Sequence, residues 1–245
     1  MKLSEQEKAA HRAAFRNMSP AQKADHIFTY YKWRILLGLV MLIILGTAIS
    51  RQLTQKETAA SLAFANVSVG EDLERELTDG FLRYAGADTR RNEVYLYRDL
   101  YLSDDADVLN HEYAYASRMK LMGAVSAGKL DLVLLNREAY DLLSRSGYLL
   151  ELSDTLFEDD PALYERLAPF LMSNDVVLSD NSIEFQLGEA EQQIVDTKTV
   201  VNAIEVNGLP LFAKAGFPEP VYLGVIANSE RLPACRQFIG FLLAE

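Results

Sequence analysis

Two loops of this 245-residue chain combine residue types that could bind a ligand. In an open parallel sheet, ligands collect beyond the carboxyl ends of the strands. One loop at such a position holds Asp99, Tyr101, Asp104 and Asp105; the other holds Asn136, Arg137 and Tyr140. An aromatic face beside a carboxylate, an amide or a guanidinium suits a sugar or a small peptide. Asp99, Tyr101, Asn136, Arg137 and Tyr140 therefore form the candidate binding set. The competing reading gives them structural roles: Asn136 caps the helix that follows, and Tyr95, Tyr97 and Tyr101 pack beneath a neighbouring helix.

Other constellations are weaker. Asp104, Asp105, Asp107, Asn110 and Glu112 make an oxygen-rich loop of the kind hard cations favour. It lacks the spacing and the glycine of an EF-hand, so a solvated acidic turn is the better reading and no metal site is assigned. Ser117-Arg118-Met119-Lys120 has the Ser-x-x-Lys spacing that sets an amine one helical turn from a hydroxyl. The partner motifs Ser-Asp-Asn and Lys-Thr-Gly are missing, so the match reads as chance. His111 is the sole histidine beyond residue 50, and no glycine-rich phosphate loop occurs. Cys235 reads as a small buried side chain. No catalytic residue and no cofactor is expected.

The elements that must position these residues alternate along the chain. Ser61–Val69 reads as a strand, Glu71–Tyr84 as a helix, and Asn92–Leu102 as a strand with Val94, Leu96, Arg98, Leu100 and Leu102 on one face. Asn110–Ala127 reads as a helix stopped by Gly128. Leu130–Leu135 is nearly all apolar, which marks a strand buried on both faces. Arg137–Arg145 reads as a helix ending at Gly147. This order predicts a parallel, right-handed α/β unit. Further on, short helices are expected over Asp154–Glu158 and Pro161–Met172. Strands are expected over Val176–Leu178 and Ile183–Leu187, joined by a turn at 179–182. Thr199–Val206 and Val221–Ala227 follow as strands, and Glu230–Leu243 as a helix.

Ahead of all this lies an uncharged run from Ile35 to Ser50. Counted from Trp33 it is long enough, as a helix, to span roughly 27 Å of bilayer core. Tyr30, Tyr31, Lys32, Trp33 and Arg34 suit the headgroup interface. Positive charge is concentrated before the run: residues 1–34 carry a net +4 and the remainder a net −15. The N-terminus is therefore expected in the cytoplasm and the C-terminal domain outside the cell. The alternative is a signal peptide cut after Ser50, with an unusually long n-region of 34 residues. In the tail, Ser4-Glu5-Gln6-Glu7 is a capping box for a helix over about 4–17, and Ser19-Pro20 starts a second helix. The expected division is a cytoplasmic helical tail (1–32), a transmembrane helix (33–50), a linker (51–60) and an outer α/β domain (61–245).

Composition removes several functions. Thirty-five acidic against 24 basic residues give a net charge of −11, which repels a phosphate backbone. No nucleic-acid partner is expected. One cysteine excludes an internal disulfide framework, a multi-cysteine zinc site and an iron–sulfur cluster.

Residues 120–152 carry a helix ending in a small-residue-glycine turn, an Asp-containing buried strand, a helix, and Gly147-Tyr148-Leu149-Leu150-Glu151-Leu152. This stretch resembles the extracellular solute-binding proteins of bacterial ABC transporters, which have the type 2 periplasmic-binding fold. Val221–Leu243 resembles their closing strand and helix. The layout, with Tyr-Tyr-Lys-Trp-Arg before a single anchor, also resembles uncharacterised membrane-anchored proteins of clostridial bacteria. The resemblance implies a parallel-sheet, reduced periplasmic-binding-protein-like outer domain behind one transmembrane helix. It implies a membrane-anchored extracellular module that binds or senses a small ligand of the sugar or peptide class without catalysis. The alternative is a structural or interaction protein with a degenerate pocket, contacting a membrane or cell-envelope partner. The lipid bilayer is the expected partner in either case.

Overall fold

A computed structural model of the chain describes residues 19, 32–47, 56–104, 110–153, 157, 160–187 and 192–244. The chain divides into two compact units, 1–55 and 56–245.

In the first unit, residues 32–47 are helical (α1) and every one of them is exposed. Thr47 Oγ1 donates to the Ile44 carbonyl at 2.9 Å, closing a turn of the helix. Among the described residues no helix is long and apolar enough to cross a membrane. The rest of the expected span, 48–50, lies outside the described residues, as do Tyr30, Tyr31 and both tail helices.

The second unit is built on one mixed sheet. Its elements are β1 (Glu57–Ala65), a helix α2 (Glu71–Arg75) that runs through a wide π turn (Glu76–Gly80) into Phe81–Tyr84, β2 (Asn92–Leu100), α3 (His111–Ser126), β3 (Leu132–Leu135) and α4 (Arg137–Arg145). There follow α5 (Pro161–Leu167), β4 (Leu171–Asp180), α6 (Ser182–Gln186), β5 (Val195–Glu205), α7 (Pro210–Ala213), β6 (Tyr222–Val225) and α8 (Leu232–Leu242). The strand order is β2-β1-β3-β6-β5-β4.

The β1–β2 and β1–β3 pairs are parallel, as the β-α-β spacing predicts. The remaining half of the sheet corrects the expectation of a parallel sheet: β6 runs antiparallel to β3, and β5 to β6. The β5–β6 connection folds straight back on itself. Val206 N–H donates to the Val221 carbonyl at 2.9 Å, and Asn207 Oδ1 accepts from Val221 N–H at 2.6 Å. A connection pinned this way returns the chain antiparallel. The expected strand at 183–187 is also corrected. Strand β4 is longer than anticipated and ends at Asp180, whose carboxylate accepts from Ser182 N–H at 2.8 Å and starts α6 instead. Strand β1 begins at Glu57, inside the expected linker.

The sheet is packed on both faces. Ala60, Leu62, Phe64, Leu132, Leu134, Leu223 and Val225 face α2, α5 and α8. Ala63, Ala65, Val133, Leu135 and Tyr222 face α3 and α4. On the first side Phe81 meets Phe238 with ring centroids 4.9 Å apart, so α2 seats on α8 through an aromatic contact worth about 0.5–1.5 kcal/mol beyond its area. Strand β2 departs from the simple alternation. Val94 and Leu96 lie on the first face, but Leu100 and Leu102 lie on the second. The pairing slips between Ala63 and Ala65, and Asp99 takes a φ of 58°. An extra residue in a strand reverses the facing of everything beyond it.

Candidate functional site

A strand order of β2-β1-β3 places the topological switch point at the carboxyl ends of β1 and β3. In register, Ala65 pairs with both Leu100 and Leu135, so Asn66, the 99–102 segment and Asn136 converge there. Four of the five candidate residues (Asp99, Tyr101, Asn136 and Arg137) are thus at the predicted edge. The side chains of Asn136 and Arg137, however, are engaged by the protein itself.

Asn66 sits at φ 58° and bridges to the neighbouring loop. Its Nδ2 donates to the Leu102 carbonyl and its Oδ1 accepts from Leu102 N–H, both at 2.7 Å. This amide imitates a strand and ties β1 to the end of β2 where regular pairing has stopped. Asn136 caps α4: its Oδ1 accepts from Ala139 N–H at 3.0 Å. Arg137 pairs with Asp141 at 3.1 Å. The Tyr222 hydroxyl first, and then Asp141, hold the guanidinium in its charged form. Asp99 is exposed, and its backbone carbonyl accepts from the Tyr113 hydroxyl of α3. Tyr101 is half-buried. Asp104 pairs with Arg118, while Asp105 and Asp107 lie outside the described residues.

Tyr140 corrects the binding set. It is fully buried, with its ring stacked on Tyr222 at 4.8 Å. Its hydroxyl donates to Asn202 Oδ1 at 2.8 Å. Asn202 Nδ2 donates to Ser144 Oγ at 2.7 Å, and Ser144 Oγ donates to the Asp175 carbonyl at 3.1 Å. Burial pushes the Tyr140 hydroxyl far above the usual tyrosine range. The helical stripe Ala139, Tyr140, Leu143 and Ser144 faces the sheet, so the residue expected to meet a ligand instead fastens α4 to β4 and β5.

A second polar cluster lies at the opposite, amino end of β3. Asp131 is fully buried. Its Oδ2 accepts from Ser61 N–H at 2.7 Å, Ser61 Oγ at 2.9 Å and Arg231 Nε at 2.9 Å; its Oδ1 accepts from Ser229 Oγ at 2.7 Å. One carboxylate thereby joins β1, β3 and the start of α8. Cys235 Sγ lies 3.7 Å from Ser229 Oγ, and burial pushes its thiol up to about 12. Sequence reasoning noted the acid within the buried strand but not this cluster. The available signal was a lone carboxylate at the head of an apolar run, which needs donors when buried.

Ser117 is buried, whereas Lys120 Nζ lies over the Tyr97 ring, 5.9 Å from its centroid. The Ser-x-x-Lys pair is therefore turned to different surroundings. Among the described residues no group of three or more His, Cys, Asp or Glu is placed to hold a metal ion.

No family model matches the chain, and no curated protein matches it. Among solved structures, a Corynebacterium glutamicum OxyR C206 mutant aligns over 92% of this chain and 74% of that one, at 10% identity. The TM-score of that superposition is 0.27, which leaves the family unassigned.

Proposed function

We propose that this chain is a membrane-tethered, non-catalytic interaction domain, and that its switch-point crevice no longer serves a small ligand. The observation that carries this reading is that the amides at the crevice are already paired within the fold and that Tyr140 turns away from it. Asn66 bridges to Leu102, Asn136 caps α4, and Tyr140 is buried against Tyr222 and Asn202. A binding site needs polar groups whose partners are supplied by the ligand, and these three already have partners within the fold. The tether rests on the uncharged run from Ile35 to Ser50 and on the exposed apolar side chains of α1, such as Leu42 at 72% exposure. In this reading the basic tail is cytoplasmic and the acidic domain outside.

Thermal unfolding of the full chain in detergent tests the crevice, using a panel of sugars, amino acids and short peptides. A ligand at 100 times its Kd stabilises by about 2.7 kcal/mol, a shift of several degrees. A flat panel is the expected result; a shift by one chemical class would overturn the reading in favour of a ligand-binding module. Alkaline carbonate washing of membranes tests the tether. The chain should stay with the bilayer, and release into the wash would refute the anchor.

A further inference from the structure

We propose that the outer half of the β4–β5 ribbon is this domain's docking arm. Its partner would be a protein segment in extended conformation with alternating apolar and basic side chains. The inference rests on the interaction reading above and names the surface and the partner's chemistry.

The ribbon outgrows the sheet that holds it. Pairing of β4 with β5 continues from Leu171–Ile204 out to Asp180–Val195, yet among the described residues β5 meets β6 only at Ile204 and Glu205. Helix α4 backs the base of the ribbon, through Ser144 on the Asp175 carbonyl and Asp141 on Asn174. Leu152 N–H takes the Val201 carbonyl at 2.7 Å. Among the described residues the ribbon beyond Val176 and Lys198 pairs only with itself, an arrangement that is marginal in water without a partner.

Three properties of this arm select its occupant. First, β4 is the edge of the sheet, ten residues long, without the lysine or proline that blunts an edge strand. Its inner half is covered where Ser144 holds the Asp175 carbonyl, and the outer stretch Val176–Asp180 offers an edge that accepts an added strand through main-chain hydrogen bonds. Second, Leu178, Ile183, Leu187, Ile194 and Val195 at its end are 46–69% exposed. The end is held in shape by Asn181, whose Oδ1 accepts from Ile194 N–H at 2.6 Å. Clustered exposed aliphatic side chains mark an interaction surface. Third, residues 171–200 contain six acidic residues and one basic residue, Lys198, which is paired with Glu151 at 3.0 Å. That charge favours a basic partner. It repels both a second copy of this acidic domain and an anionic bilayer.

The test uses the full chain in detergent and three fluorescein-labelled ten-residue peptides, read by anisotropy. One alternates valine and lysine, one has the same composition in two blocks, and one alternates valine and glutamate. The alternating valine–lysine peptide should bind at least tenfold tighter than the other two. Leu178→Glu with Ile194→Glu, and separately Ile183→Glu, should each weaken it at least tenfold with an unchanged far-UV spectrum. Equal binding of the two lysine peptides would mean charge alone is at work and would overturn the proposal, as would unchanged binding by the variants. Dimerisation, or binding to anionic vesicles, that these substitutions abolish would reassign the arm and also overturn it. A ligand-induced thermal shift would sink the interaction reading while leaving the peptide result intact. Failure of the peptide test would sink the arm while leaving that reading intact.

Discussion

Replacing Asp131 should be among the most damaging single changes in the second unit, residues 56–245. Its carboxylate is fully buried and receives four donors, and the Arg231 side chain that supplies its counter-charge is 30% exposed. Asp131→Ala leaves the buried Ser61 N–H without an acceptor, strips Arg231 of its partner and opens a small void. Removing one member of a buried pair costs about 3–5 kcal/mol. For a chain of this size that corresponds to a loss of roughly 6–20 °C in Tm. Asp131→Asn keeps an acceptor where three donors converge and can turn its amide toward Ser229 Oγ. It loses only the charge assistance, about 1.5–3 kcal/mol. Arg231→Met should fall below Asp131→Ala, because Ser61 and Ser229 still supply three donors to the carboxylate. Far-UV circular dichroism in a urea titration is the suitable assay, since the single tryptophan, Trp33, is exposed and belongs to the other unit. An Asp131→Ala chain within about 1 kcal/mol of the parent would refute the reasoning, as would an asparagine variant as unstable as the alanine variant.

Three further predictions follow from the same geometry. Tyr140→Phe should cost about 1–3 kcal/mol by leaving the buried Asn202 Oδ1 without its donor, and urea unfolding checks it. Asn136→Ala should cost about 1 kcal/mol through loss of the α4 cap; a much larger loss would mean the amide does more than accept from Ala139. Cys235, pushed by burial from 9.0 to about 12, should not react with a disulfide reagent at pH 8 in the folded chain and should react stoichiometrically in denaturant. Because the unfolded thiol ionises first, stability should fall as pH rises from 9 toward 12. A Cys235→Ala chain should lack that part of the alkaline decline.

The first half of the second unit was legible because its signals are local. The apolar run before Asn136 predicts a strand buried on both faces, and Leu132–Leu135 is one. Asn136 and Gly147 bound a helix that runs over Arg137–Arg145 as expected, with Gly147 at φ 70°. The capping role of Asn136 was likewise open to reading from its place at the head of that helix. The bulge at Asp99 was not, because strict alternation over 92–102 carries no mark of a slip that arises only when β2 pairs with β1. The long β4–β5 ribbon was missed for a similar reason. Strand β4 is stabilised by cross-strand pairing with residues 15 to 33 positions away, from Asp180–Val195 to Leu171–Ile204, while its own burial pattern barely alternates.

The sequence by itself determined which segments are apolar enough to be buried, where the helices over 111–126 and 137–145 start and stop, and how charge is divided between residues 1–34 and the remainder. These depend on residue type and on neighbours within a turn or two. Only the tertiary structure decided that β6 runs antiparallel to the first three strands and that β5 and β4 each reverse direction again. It alone decided that Tyr140 turns into the core rather than toward a crevice, and that Ser61, Asp131, Ser229 and Arg231 meet. Each of those outcomes depends on groups brought together from distant parts of the chain. For Asp131, burial without donors is so costly that its partners had to come from β1 and α8, 70 and 100 residues away.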